Sequence, residues 1–159
     1  MINYNELPAD ARVWIYQSNR AFTAIESDTI SEKIRQFIDQ WQSHGKTVKG
    51  WGMLQYNRFI LLVVDEGYEA PSGCSIDSSV ALIREIEQQM EVDFFDRMNF
   101  AYKQDNEVLT ADRATFAELY QKGTINKDTI VFNNLITTKE ALENQWEVAL
   151  GSSWHARMV

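Results

Sequence analysis

The segment Gly73-Cys74-Ser75-Ile76-Asp77-Ser78-Ser79 holds the only cysteine of a 159-residue chain. It lies between an apolar run, residues 59–64, and a stretch with helical periodicity from about residue 77. Backbone N–H groups at a helix start have no intrahelical partner, and their field favours a thiolate over a thiol. A thiolate needs a base to complete a nucleophilic site, and the chain has two histidines. Cys74 with His44, or with His155 instead, would make a thiol-dependent transferase or hydrolase. The plainer reading is a buried cysteine beside ordinary N-cap residues. The phosphatase pattern C-x5-R fails, because Val80 stands where the arginine belongs.

The same segment also offers hydroxyls to an anion. Ser75 and Ser78 precede or open a helix, where phosphate or carboxylate can be held by backbone amides. Asp77 competes for those amides and reads better as a cap. A second anion site is suggested by Arg20, Arg58 and Arg97. Each stands next to an expected strand, and one sheet would bring all three to one end, opposite Cys74. Guanidinium groups grip carboxylates and phosphates bidentately, although Glu26, Asp28, Asp93 and Asp96 are available as ordinary partners.

The remaining candidates say less. Asp65-Glu66 and Asp93 with Asp96 are acidic pairs without the spacing of a calcium loop or a zinc-protease helix, and read as solvated loop acids. No Cys/His cluster has zinc spacing, so neither a metal nor a cofactor is expected. Four of the five tryptophans are expected in or over the core. Trp154, in a polar tail, stands out as an interface anchor.

Composition narrows the class. Forty-five per cent hydrophobic and 12% aromatic residues mark a folded chain of single-domain length. Fifteen basic against 23 acidic residues give a net charge of −8, which repels nucleic acid and anionic lipid. The first residues lack the basic and apolar regions of a signal peptide, and no apolar run spans a bilayer. A cytoplasmic location without membrane contact is expected.

The elements that must position these residues follow from periodicity. Residues 12–18 are β-branched and aromatic, hence a strand. Ile30, Ile34, Phe37, Ile38 and Trp41 carry a helical rhythm that Ser27 or Asp28 can cap and Gly45 can end. Residues 48–56 and 58–65 pair as a hairpin through a tight turn at Asn57, and the unbroken apolar run in the second predicts a central strand. A helix follows over about 77–90, with Val80, Ile83, Ile86 and Met90 buried. Phe94-Phe95 and residues 100–103 predict a strand, turning at Asp105-Asn106 into 107–110. Phe116, Leu119 and Tyr120 predict a helix ending near Gly123, and residues 130–132 a short strand. Thr137 with Glu140 opens a last helix that buries Leu142, Trp146, Ala149 and Leu150. The order β-α-β-β-α-β is that of a ferredoxin-like sandwich with both helices on one face, so an α+β fold with extra C-terminal helices is expected.

Four segments together, residues 11–20, 58–66, 72–80 and 94–97, resemble a small uncharacterised bacterial family whose members are often labelled "ABC transporter ATPase". The resemblance spans most of the chain and brings no catalytic residue with it. The P-loop that ATP hydrolysis requires is missing. Gly45-Lys46-Thr47 has Gln40 where the first glycine should stand, and it follows a helix instead of opening one. The sequence therefore predicts a non-catalytic module that binds a small anionic ligand or a protein partner, with the thiol enzyme as the alternative.

Overall fold

The computed structural model describes residues 1–43, 45–67 and 72–159, and only the backbone of Gln42 and Cys74. The elements in chain order are β1 (Arg12–Gln17), α1 (Ala24–Gln40), β2 (Gln42–Ser43), β3 (Lys46–Thr47), β4 (Gly50–Gln55), β5 (Phe59–Val64) and α2 (Gly73–Met90). They continue with β6 (Asn99–Gln104), β7 (Glu107–Asp112), α3 (Arg113–Gln121), β8 (Ile130–Phe132), α4 (Lys139–Asn144) and β9 (Glu147–Ala149). The fold is α+β, with two larger antiparallel sheets and four α-helices among the described residues. Two compact units result, residues 1–95 with 137–140, and residues 96–136 with 141–159.

The first unit is a split β-α-β whose sheet runs β1-β5-β4. Its central strand is the apolar run, and all six residues of β5 are buried. Ile60, Leu62 and Val64 on one face of β5 share a core with Ile30, Ile34 and Ile38 of α1 and Leu82, Ile83 and Ile86 of α2. Both helices therefore cover the same face. Gly52 lets α1 lie this close: a Cβ there would come 2.9 Å from Ile34 Cγ2 and 3.0 Å from Leu62 Cδ2. The hairpin connection carries positive φ at Tyr56 and Asn57, as a tight turn between right-twisted strands requires.

Helix starts depart from the sequence reading. α1 begins at Thr23, whose hydroxyl accepts from Glu26 N–H while the Glu26 carboxylate accepts from Thr23 N–H, a complete capping box. It ends at Gln40, because Trp41 turns to extended backbone and goes into the core. Gly45, expected to end that helix, instead lies between the two-residue strands β2 and β3 with φ of +78°. α2 starts about four residues early, capped by Ser72.

The full ferredoxin-like order is not formed: the β2–β3 pair intervenes between α1 and β4, and among the described residues the first sheet stops at three strands. The strand expected to flank β1, now β6, pairs with β7 and β8 in the second sheet. Phe94 and Phe95 are in no strand; both pack into the first core, so the chain bends before β6 begins. The outer side of β1 is taken by residues 137–140. Val13 N–H donates to Thr137 O at 2.9 Å, Lys139 N–H to Ala11 O at 2.9 Å, and Arg12 bridges Thr138. The Lys139 ammonium is buried, donates to Leu7 O at 2.7 Å and lies over the Tyr4 ring.

The second unit is the sheet β7-β6-β8-β9 with α3 against it. Asp105 and Asn106 both have positive φ and close the β6–β7 hairpin at the expected place. Phe116 of α3 packs edge-on against Phe100, with Tyr102, Ile125, Val131 and Leu150 completing the core; Tyr120 is exposed. The last helix, expected from Thr137 onward through Leu150, is only α4. Val131 takes Val148 as its strand partner, and that pairing makes residues 147–149 β9. Trp146 and Leu150 are buried as expected, while Leu142 and Ala149 are half-buried. Among the described residues no helix is long and apolar enough to cross a membrane.

Candidate functional site

Cys74 is the second residue of α2, inside its first turn. That turn is already well supplied with acceptors. Ser72 Oγ accepts from Ser75 N–H at 3.1 Å, and Ser75 Oγ donates to Ser72 O at 2.8 Å. Ser75 is buried, and its carbonyl accepts the Trp41 indole N–H at 2.8 Å. Ser78 is exposed on the following turn. The hydroxyl of Ser43, the residue before His44, accepts from Ser72 N–H at 3.1 Å, so β2 and the start of α2 are in contact. His44 and the Cys74 side chain lie outside the described residues.

Arg20 and Arg58 come to the same end of the first sheet. Ser18 N–H donates to Arg58 O, and Arg58 Nη1 points back to Ser18 O at 3.4 Å. Their guanidiniums do different work. Arg20 forks onto both oxygens of Glu26 at 2.9 and 2.8 Å and also donates to Met90 O at 2.7 Å, the last carbonyl of α2. Its bidentate face is thus filled from within the chain. The Arg20 hydrogen bonds hold the Glu26 carboxyl down at about 2. Arg58 is turned inward and buried, and burial lowers its pKa. Arg97 belongs to the second unit, exposed in the turn before β6.

His155 is 1% exposed, in the core of the second unit. Trp154 stacks on its ring at 3.7 Å, Phe100 and Phe116 face it at 5.6 and 5.9 Å, and Nδ1 sits 2.7 Å from Ser153 Oγ. Burial pushes its pKa down to about 4. Trp154 donates its indole N–H to Asn133 Oδ1 at 3.0 Å, so both residues of the tail pack inside their own unit. Among the described residues, no three or more His, Cys, Asp or Glu side chains are grouped to hold a metal.

No family model matches the chain, and neither a curated protein nor a solved structure matches it.

One surface was not picked out by sequence reasoning. α1 and β4 flank a shallow groove of about 380 Å³, lined on the helix side by Asp28, Ser31, Glu32 and Arg35, on the strand side by Gly52, Met53 and Leu54, and by Met1, whose ammonium pairs with Asp39. At the N-terminal end of α1 and just past the end of β4 stand two exposed apolar residues, Ile25 (81% exposed) and Tyr56 (37%). Ser27 Oγ donates to Asn57 Oδ1 at 3.1 Å and Phe22 N–H to Asn57 O at 2.7 Å, so helix start and hairpin turn are fastened together. Ile25 could have been noticed in the sequence. It falls off the buried stripe of Ile30, Ile34 and Ile38, which leaves a β-branched apolar residue on the solvent side.

Proposed function

We propose that the chain is a non-catalytic binding module that docks a protein partner through the end of the first unit carrying Ile25 and Tyr56. The observation that supports it most is the setting of Ile25. A large apolar side chain is held out in water on a first turn that a capping box, the Arg20 fork and the Asn57 contacts all immobilise. A preordered apolar surface loses little entropy on binding. Of the two ligand classes, the protein partner gains by default on Arg20, since an incoming anion would have to displace Glu26 from its fork.

The test is site-specific photocrosslinking in cells. A benzophenone side chain at position 25 should give a discrete adduct of one partner, identified by mass spectrometry, and the same group at exposed Ala114 on α3 should not. No adduct, or equal adducts from both positions, would reject the docking reading.

A thiol enzyme is the second reading, favoured by one contact. The Ser72–Ser43 hydrogen bond brings the backbone next to His44 to the turn that contains Cys74. Alkylation by iodoacetamide at pH 6 much faster than that of a free thiol would support it, together with loss of activity in Cys74→Ser. A thiol that stays inert until denaturant is added would reject it. The inert outcome is expected.

A further inference from the structure

Resting on that docking reading, we infer that the occupant is a protein segment presenting one apolar side chain with a lysine or arginine beside it. The groove has two dissimilar banks. Ile25, Asp28, Glu32 and Arg35 recur every three to four residues, so they form one stripe along α1. Gly52, Met53 and Leu54 form the other bank, with Tyr56 just past the end of β4. Ile25, at the N-terminal end of the helix bank, is the most exposed large apolar side chain among the described residues, and an apolar anchor belongs there.

Charge then selects what accompanies the anchor. Arg35 is committed to two carboxylates, Glu32 through Nε at 3.0 Å and Asp39 through Nη1 at 3.1 Å. Asp39 also pairs with the Met1 ammonium, so those four charges cancel, and exposed Asp28 leaves one negative charge without an ion pair among the described residues. Asp28 lies three residues from Ile25, about 4.5 Å along the helix axis. A basic side chain one or two positions from the anchor reaches that far. A second copy of the chain fits poorly, because each copy carries −8 and would set Asp28 and Glu32 against their own kind.

Random linear peptides displayed on phage and selected on the whole protein provide the probe. Selected peptides are then titrated onto the wild type, Ile25→Asp and Asp28→Asn by fluorescence anisotropy at low and high salt. Both positions are exposed, and circular dichroism checks that the variants fold. The expected result is a shared apolar residue with Lys or Arg one or two positions away. Ile25→Asp should abolish binding, and Asp28→Asn should weaken it about tenfold and flatten the salt dependence. Peptides that need Ile25 but carry no basic residue, and ignore Asp28→Asn, would overturn this inference and leave the docking reading standing. Peptides indifferent to Ile25→Asp, or no enriched peptide at all, would overturn both. Concentration-dependent dimers of the wild type that Ile25→Asp disperses would assign the surface to a second copy and overturn the inference too.

Discussion

His155 Nδ1 is hydrogen-bonded to Ser153 Oγ while three aromatic rings close around the imidazole. With a folded-state pKa of about 4 against an ordinary 6.5, the ring is neutral in both states above pH 6.5, where its contribution to stability is fully present. As pH falls through the window from 6.5 to 4 the unfolded chain takes up a proton that the folded unit refuses. Stability of the second unit should drop by on the order of 3 kcal/mol across that window and then level off. Urea unfolding at pH 7, 6 and 5 checks this. His155→Phe should lose the slope above pH 5, where carboxylates contribute least, and an unchanged slope would show that other groups carry it. Sequence flagged His155 as a base because residue type shows chemistry and not surroundings. Trp154 is its sequence neighbour, but the Phe100 and Phe116 rings that complete its burial come from separate parts of the chain.

At the level of elements, the capping box at Thr23 and the glycine at the helix–sheet contact carry distinct energies. Thr23→Ala removes a hydrogen-bonded cap and should cost about 1 kcal/mol in urea unfolding, while Thr23→Asp should retain most of the stability. Gly52→Ala places a methyl 3.1 Å from Leu61 O as well as against two side chains, and a strand carbonyl has nowhere to move. A loss of about 1–3 kcal/mol is expected, with Gly73→Ala as an open-space control. A neutral Gly52→Ala would mean that α1 can ride up off the sheet. Most elements were legible in the sequence. The β6–β7 hairpin, the all-buried β5 and the stripe of α1 follow from periodicity and turn residues. The starts of α1 and α2 were missed because several polar residues in a row can each cap. The C-terminal helix failed for a different reason: the spacing of Leu142, Trp146 and Leu150 suits a helix, yet Val131 needed Val148 as a strand partner. The candidate site was less readable still, since the groove joins α1 to a strand that follows two further elements.

For the whole molecule, net charge and discontinuity matter most. A chain at −8 without a P-loop should show no heat in calorimetric titration with ATP–Mg²⁺, and micromolar binding with turnover would contradict the sequence argument. The first unit takes its last four residues, 137–140, from beyond the start of the second. The 1–95 fragment therefore lacks the groups that pair with Ala11 and Val13, and it loses the buried Lys139 ammonium. An uncovered edge strand invites pairing between molecules. Light scattering should report association of that fragment at concentrations where the full chain stays dispersed. A monomeric 1–95 fragment as stable as the intact protein would show the 137–140 segment to be dispensable.

Those four residues also set a timetable. A ribosome that has released β5 and α2 has released a sheet whose β1 side is still unguarded, and its cover is not yet translated. At about 5–20 residues per second, several seconds pass between the end of α2 and the appearance of Thr137. During that interval the nascent chain exposes the backbone N–H of Val13 and the carbonyl of Ala11, with the Leu7 carbonyl still waiting for its lysine. Synthesis speed over residues 96–140 is thus tied to the yield of the first unit, although none of the intervening residues 96–136 belongs to it.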